Sequence, residues 1–268
     1  MDSFVTPSNC WDKYQSNFSE FNMKYAVLAA TLPLLVATSQ AFANESSSTT
    51  ELSPHSFSAN VSLVSDYRFR GFTQTNMRPA IQGGFDYSHS SGFYIGNWNS
   101  NVTSDLFPGG NIEMDFYAGY TKDFGGIGLD LGVLYYYYPG TTSAKGGVIN
   151  NTELYIGLSY GPFSAKYSHG VSDFFGAPNS KNNYYIDVGA DFELGNGWGL
   201  KAHLGYQKLK NDPAISGYVD YLVGVTKDID GWVIGASVVG ATHRDWYQTD
   251  KGRDAGRPGF VLSVARAF

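Results

Sequence analysis

The sequence contains a single cysteine among 268 residues. A lone Cys10 cannot close an intrachain disulfide, so the disulfide scaffold of a small secreted domain is excluded. Cys10 also precedes the processing site described below, so the mature chain would carry no thiol for redox chemistry or metal ligation. Charge is sparse as well. Charged residues make up 16% and the formal net charge is −6, too mild to call for a nucleic-acid partner. After Ala43 no apolar run approaches the roughly 18 residues that a membrane-spanning helix needs. No glycine-rich phosphate loop precedes a helix and no Cys/His spacing suits a metal, so neither cofactor nor metal is expected.

What is present is aromatic and glycine: 16% of residues are Phe, Trp or Tyr, and 32 are Gly. The last ten residues show how they are used. Phe260, Leu262, Val264 and Phe268 fall on one side of a two-residue period. Val261, Ser263, Ala265 and Ala267 form the smaller opposite set. One large apolar face and one small face suit the wall of a transmembrane barrel. The terminal aromatic would sit in an interfacial girdle, whereas Arg266 breaks the apolar pattern and would have to snorkel to the membrane edge. A soluble β-protein is the rival reading of this stretch alone.

The chain divides by composition. Residues 1–22 are polar and mixed and resemble no part of a secretion signal, which suggests a true start at Met23. From Met23, Lys24 leads an apolar run over Ala26–Ala37 that ends in Ala41-Phe42-Ala43. A basic start, a short apolar core and a small-x-small site describe a signal peptide over 23–43, cleaved after Ala43. Residues 44–56 read as a flexible polar lead-in. Removing Asp2, Asp12, Glu20, Lys13 and Lys24 from 24 acidic and 18 basic residues leaves 21 and 16, a mature net charge of −5.

From residue 57 to 268 the chain alternates. Twelve strands are expected, at 57–70, 79–88, 92–102, 111–123, 128–138, 150–160, 163–172, 183–194, 198–208, 217–227, 232–242 and 259–268. In 111–123, Ile112, Met114, Phe116, Ala118 and Tyr120 oppose Glu113, Asp115, Tyr117, Gly119 and Thr121. The connections alternate between tight (such as Gly161-Pro162) and wide (such as His243–Pro258). Short periplasmic turns and long outer loops are the rule for outer-membrane barrels. Aromatics gather at strand ends, as in Gly197-Trp198, Gly231-Trp232 and Tyr135–Tyr138, where headgroup girdles would lie. The fold expected is all-β: a single up-and-down antiparallel transmembrane β-barrel of about 12 strands.

The stretch Ser65-Asp66-Tyr67-Arg68-Phe69-Arg70-Gly71-Phe72-Thr73-Gln74 carries a family resemblance. It continues through Pro79–Tyr87, Ser91–Tyr94, Tyr135–Gly140 and Tyr160–Phe163. In this order the motifs resemble the TorF-type porins of proteobacteria, first known as conserved proteins of unknown function. The resemblance implies a Gram-negative outer-membrane barrel and supplies neither substrate nor catalytic residues. It further implies that the terminal set Phe260, Leu262, Val264 and Phe268 is an assembly signal, met by periplasmic chaperones and the barrel-assembly machinery.

Catalytic chemistry finds no footing. His169 and Ser172, three apart, face opposite sides of a strand. His89 and Ser91 share a face but sit in a tight turn with no group to orient the base. His243, Arg244 and Asp245 read as a solvated loop. No catalytic residue is assigned. Strand parity instead turns a polar set inward, since acids and arginines on a lipid face would be costly. The acids are Asp66, Asp86, Glu113, Asp115, Asp130, Glu153, Asp187, Asp191 and Asp220. The bases are Arg68, Arg70, Lys166 and Lys201, with His203 counted as neutral. Nine acids against four bases leave the lumen at −5. The function expected is passive diffusion of small hydrophilic solutes with a weak cation preference. The alternative is a non-conducting structural, adhesin or lipid-interacting barrel, because twelve strands fall between a filled interior and an aqueous one.

Overall fold

The computed structural model describes residues 53–141, 148–212 and 215–268. The expected upstream segment 1–22, the signal peptide 23–43 and the lead-in up to residue 52 lie outside the described residues. Twelve strands close into one antiparallel barrel. They are β1 His55–Val64, β2 Ala80–His89, β3 Phe93–Asn101, β4 Ile112–Asp123, β5 Ile127–Tyr137 and β6 Asn151–Tyr160, followed by β7 Phe163–Gly170, β8 Tyr184–Gly195, β9 Trp198–Lys208, β10 Gly217–Ile229, β11 Trp232–Ala241 and β12 Gly259–Ala267. Each pairs with its sequence neighbours, and β1 closes the wall against β12, with Asn60 opposite Ala267 and Val64 opposite Ser263. Beyond the last strand residue, Phe268 and Ala59 exchange backbone hydrogen bonds of 2.8 and 3.1 Å. Closure leaves no strand edge unpaired.

The two-residue period decides which side chains face which medium. Phe85, Ile95, Leu154, Val223, Phe260 and Leu262 all point outward and are exposed. Their neighbours in sequence, such as Asp86, Tyr94, Glu153 and Gly224, point inward, where they are buried or half-buried. An apolar outside around a polar inside inverts the arrangement of a water-soluble domain and fits a hydrocarbon surround. None of the described helices is long and apolar enough to cross a membrane, and the strands are what could cross it.

The connections sort by end. Residues 90–92, 124–126, 161–162, 196–197 and 230–231 make five short turns on one rim. Residues 65–79, 102–111, 138–150, 171–183, 209–216 and 242–258 make six long connections on the other.

One expected strand is shorter than its pattern suggested. The alternation from residue 57 continues to Arg70, yet β1 starts at His55 and stops at Val64. The chain leaves the wall at Ser65, whose N–H donates to Leu262 O at 2.8 Å. Residues 65–79 then turn into the barrel, where Arg68–Phe69 and Phe72–Thr73 pair as a two-rung ribbon. Asp66, Arg68 and Arg70 therefore do not share a wall face. Asp66 and Arg68 bind within the strap and to the connection before β12, and Arg70 reaches across the lumen.

Candidate functional site

The in-folded segment, here termed the strap, is built by its own side chains. Asp66 gathers it: Oδ1 accepts Thr73 Oγ1 at 2.6 Å and Thr75 Oγ1 at 3.3 Å, and Oδ2 accepts Arg68 Nε at 2.5 Å. Arg68 Nη1 donates to Gly71 O at 3.0 Å and to Arg257 O at 2.9 Å, which ties the strap to the long connection before β12. Gly71 adopts φ +88°, and a Cβ there would lie 2.6 Å from Gly240 O and 2.8 Å from Ala241 Cβ. Only glycine fits, because the strap backbone presses directly on the wall and is also left-handed.

Arg70 reaches farthest. Its Nη2 donates to both oxygens of Glu153 on β6, at 2.8 and 3.0 Å, and its Nη1 donates to Gln207 on β9. The guanidinium lies 4.0 Å from the ring centre of Tyr185 on β8 and 4.6 Å from that of Phe69. Planar, bidentate and stacked contact is what an arginine supplies and a lysine does not.

Aromatics close the space around the strap. Phe69 meets Tyr136 and Phe175 at 6.4 and 6.3 Å between ring centres. Phe72 meets Tyr218, Tyr247 and Trp246 at 4.9, 5.3 and 5.7 Å. Phe107 stacks on Tyr138 at 4.8 Å. Tyr247 donates to Thr73 O at 2.9 Å, and burial holds its phenol well above the ordinary range, so it stays a donor. Five long connections thus send rings into one cluster at the long-loop end. Phe69, Phe72, Phe107 and Phe175 there are entirely excluded from solvent.

The lumen therefore has two unlike halves. At the long-loop end Glu113, Asp115, Glu153, Gln207 and Asp220 are buried. Toward the short-turn end Asp86, Asp130, Lys166, Asp187 and Lys201 are half-buried and Asp191 is exposed. A charged vestibule opens toward the short turns and stops at the strap.

Polar networks line the walls between. Tyr117 donates to Asp86 at 2.5 Å and Tyr94 to Asp130 at 2.6 Å. Tyr155 bonds Tyr94 and carries Lys166 Nζ 3.8 Å above its ring. Lys201 Nζ lies 3.6 Å from Asp191. His203 is bracketed: Nδ1 meets Asp187 Oδ1 at 3.0 Å and Nε2 meets Asp220 Oδ1 at 2.7 Å. With a carboxylate against each nitrogen, both nitrogens must donate, and the ring carries its second proton. The expectation of a neutral His203 is thereby corrected, and five bases now stand against nine acids. Tyr185 donates to the same Asp220 at 3.1 and 3.2 Å, so this network ends directly beneath Arg70.

Every residue of the expected polar set thus lies in the lumen, but in three groups: Asp66, Arg68 and Arg70 on the strap, the buried set beside it, and the vestibule set below. The sequence reading missed the aromatic seal of Phe69, Phe72, Phe174, Phe175, Trp246 and Tyr247. The density of aromatics in connections that solvent should have kept polar was the available signal. Phe260, Leu262 and Val264 line the outer face of β12, and Phe268, just past its end, is exposed as well. The remaining candidates stay apart from the lumen. His89 Nδ1 lies 2.7 Å from Ser91 Oγ on an exposed turn. Ser172 donates to Asn151, and His169 faces Tyr167 and Asn182. Arg244 lies 3.6 Å from Asp254, and no metal-holding group occurs among the described residues.

Residues 48–268 match the model of a family described as "Bacterial protein of unknown function (Gcw_chp)". No curated protein matches the sequence. Among solved structures, one described as "KdgM porin" aligns with 79% of this chain and 98% of its own, at 10% identity and a TM-score of 0.51. OccK5 (OpdH) of Pseudomonas aeruginosa aligns with 80% of this chain and 68% of its own, at 13% identity and a TM-score of 0.40. At such identities the likeness to the first concerns the fold, and the second is too distant to support an argument.

Proposed function

The chain belongs to the Gcw_chp family of bacterial proteins of unknown function, and from that premise we propose that it is an outer-membrane porin-like channel for small hydrophilic solutes, weakly selective for cations. The observation that supports this is the inverted wall: a closed barrel, apolar outside, with acids and tyrosines lining a vestibule. In this reading the signal peptide delivers the mature chain to the periplasm. Chaperones and the barrel-assembly machinery then receive it there by its final strand. The short turns face the periplasm and the long connections face outward. The TorF-type label is part of the same reading and rests on the motif order over 65–163.

The strap gives this channel a closed outer mouth. Solutes meet an open vestibule from the periplasmic side and a packed aromatic seal from the outside, so conduction requires the strap to move. A second reading takes the seal as permanent and the protein as a non-conducting structural barrel; the complete burial of Phe69 and Phe72 favours it. Single-channel recording on refolded protein separates the two. Steps of conductance, brief and rare in the native chain, support the gated channel. Silence in both the native chain and a variant with the strap cut from its anchors leaves the structural barrel.

A further inference from the structure

We propose that the short-turn rim over β9–β12 holds an anionic phospholipid headgroup between two cations seated on tryptophans, an inference that rests on the outer-membrane reading above. It starts from the sign of the outward charges. Within the described strands, parity turns every carboxylate inward, whereas the formally charged side chains turned outward are Lys122, Lys208, Lys227 and Arg266, all basic. Two of them form a pair of like construction. Lys227 Nζ lies 5.2 Å from the ring centre of Trp198, its cross-strand partner, and donates to Asn196 O. Arg266 Cζ lies 5.2 Å from the ring centre of Trp232, also its cross-strand partner, and 5.6 Å from that of Phe268.

Each cation is thus held at the rim by a flat aromatic rather than neutralised by an acid. Among the described residues Arg266 has no hydrogen-bond acceptor and no ion-pair partner. The turn between β10 and β11 does carry acids, but Asp228 is occupied by the Gly231 N–H at 2.9 Å and turns inward by parity, and Asp230 stands at the exposed tip. Lys227 pairs with Ile234 and Arg266 with Trp232, so the two cations stand two strands and two residues apart, about 12 Å, a span that one phosphodiester headgroup and its glycerol can bridge. Tryptophans set the depth at the headgroup layer, where a phosphate would lie. The ring faces also leave the guanidinium fork free toward the lipid, which suits phosphate better than a zwitterion whose own cation would be repelled.

The tryptophans supply the readout. Trp98 and Trp246 are buried inside the barrel, at 6% and 5% exposure, whereas Trp198 and Trp232 are exposed to the surround. Mature protein would be reconstituted in phosphatidylcholine vesicles carrying a small, equal fraction of brominated phosphatidylglycerol or brominated phosphatidylcholine. The anionic lipid should quench Trp198 and Trp232 at least about threefold more strongly than the neutral one. Lys227→Gln with Arg266→Gln should abolish the difference, and Lys227→Arg with Arg266→Lys should restore most of it. Lys122→Gln should leave it intact. Equal quenching of the native protein by both lipids would overturn the site, and so would an equal loss in Lys122→Gln, which would mean diffuse attraction to a basic rim. Should the double glutamine variant not insert, each single variant should show a partial loss, and the native level in both would overturn the site as well. Quenching by neither lipid would sink the membrane reading itself, a result distinct from the failure of the lipid site.

Discussion

Arg70 and Glu153 stand 83 residues apart in the chain and meet in the lumen, the guanidinium on the strap donating twice to the carboxylate on β6. Both side chains are about 2% exposed. A buried pair of this kind adds little net stability over an apolar pair, but removing one partner strands a charge. Its role is positional: it ties residue 70 to the wall opposite β1 and keeps the strap across the mouth.

Arg70→Ala should therefore open the barrel and destabilise it at once. Loss of the guanidinium leaves Glu153 buried with Tyr136 at 3.1 Å and Asn151 at 3.4 Å as its remaining donors. The expected cost is about 3–5 kcal/mol in urea unfolding from lipid, reduced when Glu153→Gln is added. The conductance of both variants should exceed that of the native chain. Unchanged conductance in a folded Arg70→Ala barrel would mean that the aromatic cluster alone seals the mouth.

The final strand gives a second expectation. Phe268 exchanges both backbone bonds with Ala59 beyond the last strand pair, and its ring lies beside Arg266. Deleting Phe268 removes two of the bonds that join the chain's ends, yet eleven other strand pairs and most of the β1–β12 ladder survive. Assembly in cells should fall sharply, while protein refolded in detergent should keep the heat-resistant, fast-migrating form on gels. Normal membrane levels of the truncated chain would contradict the role assigned to this residue.

The barrel was legible because its wall obeys one local rule. Period-two alternation fixes the face of each residue, and closure only repeats pairwise neighbours, so twelve strands and two classes of connection follow from nearest-neighbour reasoning. The strap was not legible for the same reason. Residues 65–70 keep the alternation of a strand, and what pulls them inward is Glu153, Gln207 and Tyr185, all more than 80 residues away. His203 was misjudged likewise: its two carboxylates come from β8 and β10, and only their convergence fixes the proton. Parity speaks only to the side of the wall on which Asp86, Glu113, Asp115, Lys166, Asp187, Asp191, Lys201 and Asp220 stand, and it could not say which would be buried by the strap and which would face open vestibule.

Orientation can be read on whole cells. Gly252 is exposed in the long connection 242–258, and Asn196 is exposed in a two-residue turn at the opposite rim. An epitope inserted at Gly252 should bind antibody on intact cells, and one at Asn196 only after permeabilisation. Reversed labelling would turn the barrel over and put the strap on the periplasmic side. Labelling of both sites on intact cells would contradict insertion.

Selectivity should follow the vestibule, not the loops. Asp187 and Asp191 lie on the inward face of β8, and their bases, His203 and Lys201, lie beside them on β9. The low-dielectric wall focuses the acidic excess into the water path. Cations should therefore be favoured over anions, modestly, because several acids are already paired, and less so as salt shortens the screening length below about 8 Å. Asp187→Asn with Asp191→Asn removes two negative charges and frees Lys201, so both changes push the reversal potential toward anions. Asp250, bound to Arg78 at the far rim, should matter little when replaced by Asn. The measurement is the reversal potential across a planar bilayer under a KCl gradient, made in the native chain and again with Arg70→Ala to raise the conductance. The strap lies above β8, so opening it should change the current without changing the sign of the selectivity. An anion preference in the native chain, or a double variant indistinguishable from it, would place the ion path away from β8 and β9.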